Sequence, residues 1–193
     1  LGNGGSLKME LANVTTVGSG VNDLIQVNGD LSLNDSAPRP VNFTFLNGAP
    51  AAGTYRLMNY TGTLTGTVAG LTNTQGYAVT FTVGAGKVEA TFAAAPSQPL
   101  VWQGDGVNGW DLNPASVVWS NTAVNVLTNF YQLDNVVFGN DTVNTNVDVS
   151  ASVNPASITF DSTNEYTLQG AGKITGKTTI TKNNTNTVTL ALL

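Results

Sequence analysis

All three tryptophans of this 193-residue chain fall between Val101 and Trp119, in the stretch VWQGDGVNGWDLNPASVVW. An indole ring needs a large apolar site and a partner for its N–H. Trp102, Trp110 and Trp119, bracketing the run Gly104-Asp105-Gly106-Val107-Asn108-Gly109, therefore imply a fixed local structure.

What surrounds that block reads as strands. In the first half SLKMELA, DLIQVNGDLSLN, VNFTFLNG, TYRLMNYTG and YAVTFTV each alternate or run apolar briefly, then stop at Gly, Asn or Asp. Asn28-Gly29 and Asn47-Gly48 are turn dipeptides. Val79–Val83, Gly84-Ala85-Gly86 and Val88–Phe92 spell an antiparallel hairpin. No helical period of useful length exists; the nearest candidate, Ala115 to Leu127, is too rich in Val and Asn. Residues 93–100, AAAPSQPL, have two prolines and no alternation, which predicts an extended connector. The expected organisation is a β-strand-rich module over 1–93, a linker over 94–100, and a Trp block with further strands over 101–193. In the second half DNVVF, NVDVSA, SITF, YTLQG, KITG, TTIT and TVTLAL recur at roughly even spacing with a turn residue in each gap. The fold class is all-β. Even spacing favours a parallel β-solenoid, or β-helix-like stack, with some antiparallel hairpins. Two β-sandwich-like modules fit the same strand list.

Charged residues make up only 10% of the chain, so Asn, Thr, Ser and Gly must carry its solubility. Net charge is −5, and the five Lys and two Arg are scattered. That argues against a nucleic-acid groove, which needs clustered cations, and against an anionic membrane surface. The longest apolar runs are too short for a helix to span a bilayer. There is no Cys and no His. The chain opens at Leu1 without a signal-peptide pattern, which predicts a processed chain or part of a longer one.

The order of landmarks from Val101 to Leu190 (W-x-G-x-G-x-N-G-x-W-D, a further Trp, V-x-F, P-x-S-I-x-F, Y-x-L-x-G-x-G-x-I-x-G) resembles the autotransporter-associated β-strand repeat. Leu24–Leu33 and Gly53–Gly62 are similar to the segment that often precedes that block. The resemblance implies a secreted or surface-exposed bacterial passenger protein. The T-Y-T-G-x-T strand that usually follows the final T-L-T-L is missing. The expectation is a piece of a larger passenger, or a subunit whose ends meet neighbours.

Candidate chemistry is sparse. Asp105, Asn108 and Asp111 offer oxygens to Ca²⁺, but their spacing matches neither the EF-hand nor the Gly-rich nonapeptide loop, and a turn role is expected. Trp102, Trp110 and Trp119 with Tyr131 have the faces for a sugar platform, yet such residues more often plug a core or cap an open coil end. Asp134, Asp141 and Asp148 invite a carboxylate-pair reading. Asp141 sits in a turn, however, Asp148 alternates with Val147 and Val149, and no Arg lies near. Without His or Cys, Ser and Thr lack a base to lean on. Lys173, Lys177 and Lys182 read as solubilising or edge-guarding residues. Asn13, Asn42, Asn59 and Asn140 open Asn-x-Thr triplets at about chance frequency.

The expected function is therefore structural and not enzymatic: an extracellular β-rich spacer, stalk or fibre subunit on a bacterial surface, using no cofactor and no metal. An adhesin or carbohydrate-binding module is the alternative. Trp102, Trp110, Trp119, Phe138 and Phe160 are the expected packing anchors, with Phe130 also in the core. Strands carrying Leu7, Met9 and Leu11 at one end, and Val188 and Leu190 at the other, are the expected assembly strands. The expected partners are copies of the chain or neighbouring repeats, with surface glycans second, and neither nucleic acid nor membrane insertion.

Overall fold

The computed structural model describes residues 5–33, 37–96, 98–107 and 109–193. The chain is all-β, with no helix among the described residues, and it forms two units, Leu1–Ala94 and Ala95–Leu193.

Unit 1 holds β1 (Leu7–Leu11), β2 (Ile25–Val27), β3 (Leu31–Ser32), β4 (Arg39–Phe45), β5 (Gly53–Tyr60), β6 (Leu64–Thr65), β7 (Leu71–Thr72), β8 (Val79–Gly84) and β9 (Lys87–Phe92). Strands one tier apart in sequence lie side by side in parallel: β1 on β4, β2 on β5, β3 on β6, and β4 on β7. The offset is 34 residues at Leu7–Val41 and 33 at Ile25–Met58 and Leu31–Leu64. Alternation places Met9, Leu11, Val41, Phe43, Tyr55 and Leu57 inside. β8 and β9 form the expected hairpin and close this sheet antiparallel against β5. Its loop is shorter than the sequence suggests, because Gly84 pairs with Lys87 and only Ala85 and Gly86 remain to turn. Gly86 makes that turn at φ 70°, a region costly for a residue with a Cβ.

Loop residues occupy part of each side of the β1–β4 pair. The Glu10 N–H and C=O face away from β4 and meet the Asp23 carboxylate (2.8 Å) and the Asp23 N–H (2.9 Å). The Ala12 N–H donates to Asn22 Oδ1 (2.7 Å), while Asn22 Nδ2 donates to the carbonyls of Val14 and Thr16. On the far side β7 is too short to cover β4. There Gln75 takes over, accepting from the Phe43 N–H (2.6 Å) and donating to the Phe43 carbonyl (3.0 Å), while Asn73 donates to the Val41 carbonyl (2.9 Å). Leu7, Met9 and Leu11, expected to form an assembly strand, lie on this sheet, with Leu7 half-buried. Met9 and Leu11 are core residues, and the edge they lie on is occupied by Asn22 and Asp23.

Unit 2 holds β10 (Leu100–Trp102), β11 (Trp119–Asn121), β12 (Val126–Thr128), β13 (Asn135–Phe138), β14 (Asn146–Asp148), β15 (Ser152–Val153), β16 (Ser157–Phe160), β17 (Tyr166–Gly170), β18 (Lys173–Ile174), β19 (Thr179–Lys182) and β20 (Val188–Leu192). The connector expected over 94–100 ends sooner, since Leu100 already opens β10 and packs, buried, beside Val136. Three parallel columns follow: β10–β13–β16–β19, β14–β17–β20 and β15–β18. Asn135 lies beside Ser157 and Ser157 beside Thr179, an offset of 22 residues each time. In the second column Asn146–Thr167 is offset by 21 and Tyr166–Val188 by 22. Like side chains therefore stack, as in Val136–Ile158–Ile180, Val147–Leu168–Leu190 and Phe138–Phe160, whose rings are 5.0 Å apart at 14°. Polar residues stack on the outside: Ser157 donates to Asn135 (2.7 Å) and Ser162 to Asn140 (2.8 Å).

Because the buried Asn22 amide satisfies three backbone groups at once, Asn22→Ala should destabilise unit 1 by about 2–3 kcal/mol. Urea unfolding measures the loss, and hydrogen exchange at the Ala12 amide should accelerate in parallel.

Candidate functional site

Two places in unit 2 gather the residues that the sequence singles out: an aromatic plug at its head and an uncovered edge at its tail.

At the head, β10 and β11 pair antiparallel with Trp102 directly opposite Trp119, and their rings meet edge to face at 5.0 Å. Trp110 bridges in parallel to Val149 and stands at the top of the second column; its backbone N–H donates to the Asp148 carbonyl (2.7 Å). That approach requires Gly109, since a Cβ there would lie 2.2 Å from the Asp148 carbonyl oxygen. Trp110 packs against Trp119 and Phe130 (both 5.3 Å), and Trp119 against Phe138 (5.6 Å). Trp102, Trp110, Trp119, Phe130, Phe138 and Phe160 are all buried. A sugar platform built on the three indoles is excluded, because no indole face reaches solvent and only Tyr131 is exposed. The Trp102 N–H donates to the Asn144 carbonyl (2.7 Å), and the Asn144 amide returns a bond to the Gly104 carbonyl (3.2 Å). Trp110 and Trp119 depart from the expected N–H pairing. Their ring nitrogens are buried and find no acceptor among the described residues.

The acidic residues act inside turns. Asp105 accepts from the Val107 N–H (2.8 Å), and Asp111 from the Asn113 N–H (3.0 Å) and the Ser116 hydroxyl (2.8 Å). Asn108, the third oxygen of the calcium reading, lies outside the described residues. No group of three or more His, Cys, Asp or Glu residues is placed to hold a metal among the described residues. No described helix is long and apolar enough to cross a membrane. Asp141 and Asp148 are exposed, and Asp134 is buried. Burial pushes the Asp134 carboxyl up to about 6, against the Tyr131 N–H that bonds to it at 2.9 Å and favours the carboxylate. Its turn is tightened by Leu133, held at φ 76° with its N–H on the Asn154 carbonyl. Asn140, one of the Asn-x-Thr residues, is engaged by Ser162 and Thr163.

At the tail, β18, β19 and β20 have strands on one side only. The Tyr166 N–H donates to the Thr187 carbonyl (3.2 Å), which fixes the ladder: Thr187, Thr189 and Ala191 bond to β17. Val188, Leu190 and Leu192 therefore turn their own N–H and C=O groups outward along the stack. By the same parity Ile174 and Ile180 do so on the other columns. These residues also point inward, continuing columns that are fully buried one tier earlier. Ile158 and Leu168 are 0% exposed, whereas Ile180 is 48% and Leu190 50% exposed. An open recess of about 450 Å³ results, with Ile174, Ile180, Leu190, Leu192 and Leu193 among its walls. Of the expected assembly residues, Leu190 lines this recess and Val188 lies on the same strand, β20. Sequence reading missed Ile174, Ile180 and Leu192, although the 22-residue offset from Ile158 to Ile180 was available to find them.

No family model, curated protein or solved structure matches this chain.

Trp110→Ala should cost about 3–5 kcal/mol in chemical denaturation, and a loss below about 1 kcal/mol would contradict its burial. Asp134 sets a pH dependence. The native state holds its proton more tightly than the unfolded chain, so the stabilisation is full below the ordinary value of 3.8 and gone above about 6. Stability should rise by on the order of 2–3 kcal/mol as pH falls through that window, and Asp134→Asn should flatten the profile. Unfolding midpoints at pH 4, 5, 6 and 7 measure both.

Proposed function

We propose that this chain is a structural module of β-solenoid type, serving as a spacer or fibre segment exposed on a bacterial surface. The observation that carries the reading is the register of unit 2, where from β13 onward the strands of three parallel columns repeat at 21–22 residues and like side chains stack. A stack of this kind transmits load along its axis through backbone hydrogen bonds, and its length is set by its number of tiers. The Thr-, Asn- and Ser-rich exterior, with 10% charged residues, suits a surface that stays hydrated without long charged side chains. The landmark order that resembles the autotransporter-associated repeat supports the same reading and its extracellular address. The buried indoles favour this over the carbohydrate-binding alternative.

Duplicating residues 157–178 after Thr178 adds one tier at the observed 22-residue offset. The module should lengthen by about 4.8 Å in small-angle scattering. It should keep its near-UV circular dichroism, with a urea m-value that rises with the added residues. A variant without a cooperative transition would count against stacking. Specific capture of the native chain on a glycan array would favour an adhesin instead.

A further inference from the structure

We infer that β8 of unit 1 is the seam of a symmetric dimer. It pairs antiparallel with β8 of a second copy of the chain, and Phe81 faces its counterpart on the two-fold axis. The inference stands on unit 1 alone and does not use the function proposed above.

A fold-back within the unit makes this edge. The chain runs out as β8 and returns as β9, which inserts beside β5, so the order is β2–β5–β9–β8 and the sheet ends on β8. β8 is the longest described edge strand of unit 1 and lacks the usual guards against pairing. No residue between Arg56 and Lys87 is charged. β8 holds no Pro, and its ladder to β9 runs without a bulge.

Hydrogen-bond parity shows what the edge offers. The Ala93 N–H donates to the Ala78 carbonyl (2.9 Å), which makes those two residues a bonded pair. Along the same register Thr80–Thr91 and Thr82–Glu89 are bonded pairs as well. Val79, Phe81 and Val83 therefore turn their own N–H and C=O groups away from β9. Their side chains share a face with Phe92, Ala90 and Val88, which lie opposite them on β9 and are buried. Val83 is nevertheless 41% exposed, and Val79 and Phe81 are half-buried. Outward backbone groups beside a half-covered apolar row are satisfied together by an added strand.

The sequence of β8 selects a second copy as that strand. Val79-Thr80-Phe81-Thr82-Val83 reads the same in both directions. About a two-fold axis at Phe81, Phe81 meets Phe81, Val79 meets Val83 and Thr80 meets Thr82. The residues with outward backbone groups then face one another, so Phe81–Phe81 and Val79–Val83 become the bonded pairs of the new ladder. On the inner face the row Tyr55–Ala90–Phe81 runs on into the same row of the second copy, and Val79 of one copy covers Val83 of the other. On the outer face Thr54–Thr91–Thr80 runs on into Thr82–Glu89–Arg56. Glu89 already pairs with Arg56 (3.4 Å) and Lys87 (3.0 Å), so no bare charge is brought to the seam. Such an interface uses the same patch on both copies and closes at two.

Sedimentation equilibrium of the full chain over a wide concentration range tests the inference. The mass should rise from the 20.0 kDa of one copy to twice that value and stop there. Two double variants at the exposed threonines then test the register. Thr80→Lys with Thr82→Lys sets like charges opposite each other across the seam and should weaken dimerisation by about tenfold. Thr80→Glu with Thr82→Lys sets opposite charges there and should restore wild-type dimerisation or better it. Unchanged near-UV circular dichroism in both variants shows that unit 1 still folds. A wild-type chain that stays at one copy overturns the inference, as does a mass that climbs past two copies. Equal dimerisation of the two double variants overturns it as well. None of these results bears on the tier-duplication experiment, which reads unit 2.

Discussion

In a parallel ladder, a residue that exchanges bonds with the tier below keeps none of its groups for the tier above. In unit 2 this alternation locks two properties together. The residues whose side chains point to the core on β16 and β17, such as Ile158, Phe160, Tyr166 and Leu168, are the ones whose backbone bonds run to the next tier. Burying the core and satisfying the backbone therefore require the same neighbour. Remove that neighbour and an apolar side chain and two polar backbone groups are exposed together, which describes Ile180 and Leu190. An unpaired backbone group is tolerable in water and costly once covered by anything that cannot hydrogen-bond. The edge thus discriminates among occupants: a strand satisfies it and a greasy surface does not.

The head of unit 2 solves the same problem by a different route. β11 and β12 fold back antiparallel, so the first column is capped by strands of the chain itself. The second column starts at a single bridge, Trp110 to Val149. Bulk replaces backbone pairing there, since burying an indole contributes about 4–6 kcal/mol of transfer free energy from its large apolar area. The cost is two buried ring N–H groups with no acceptor among the described residues. Tyr166 shows the more usual arrangement, donating to the Gly139 carbonyl at 2.8 Å. Burial and the nearby Asp141 push its hydroxyl up to about 12, so it stays a donor through the neutral range.

Much of this was legible in the residues. Alternation in SITF and YTLQG assigned the inward faces of β16 and β17, and the clustering of three tryptophans marked the plug. The hairpin of β8 and β9 could be read from its glycines to within one residue. What was not legible depends on side chains acting at a distance in sequence. Asn22 and Gln75 look like ordinary loop residues, yet each stands in for a strand edge, at a separation of 10 residues from Ala12 and 32 from Phe43. Asn144, which holds the Trp102 loop, lies 42 residues from its indole. Arg39 shares the inward face of β4 with Val41 and Phe43, an unusual place for a guanidinium, and is 1% exposed, lying where a Cβ on Gly70 would come within 2.6 Å of its guanidinium. Local patterning reports which face a residue takes. It carries little about which edge needs closing.

Edges also explain the distribution of charge. Exposed β edges invite indiscriminate pairing, and an inward-pointing lysine on an edge strand is a common deterrent. Lys182 holds that position in the column below Phe160, where a core residue would otherwise sit. It deters a second positive edge and any dry apolar strand. An edge guarded by one inward-pointing lysine is thereby selective about what may pair with it.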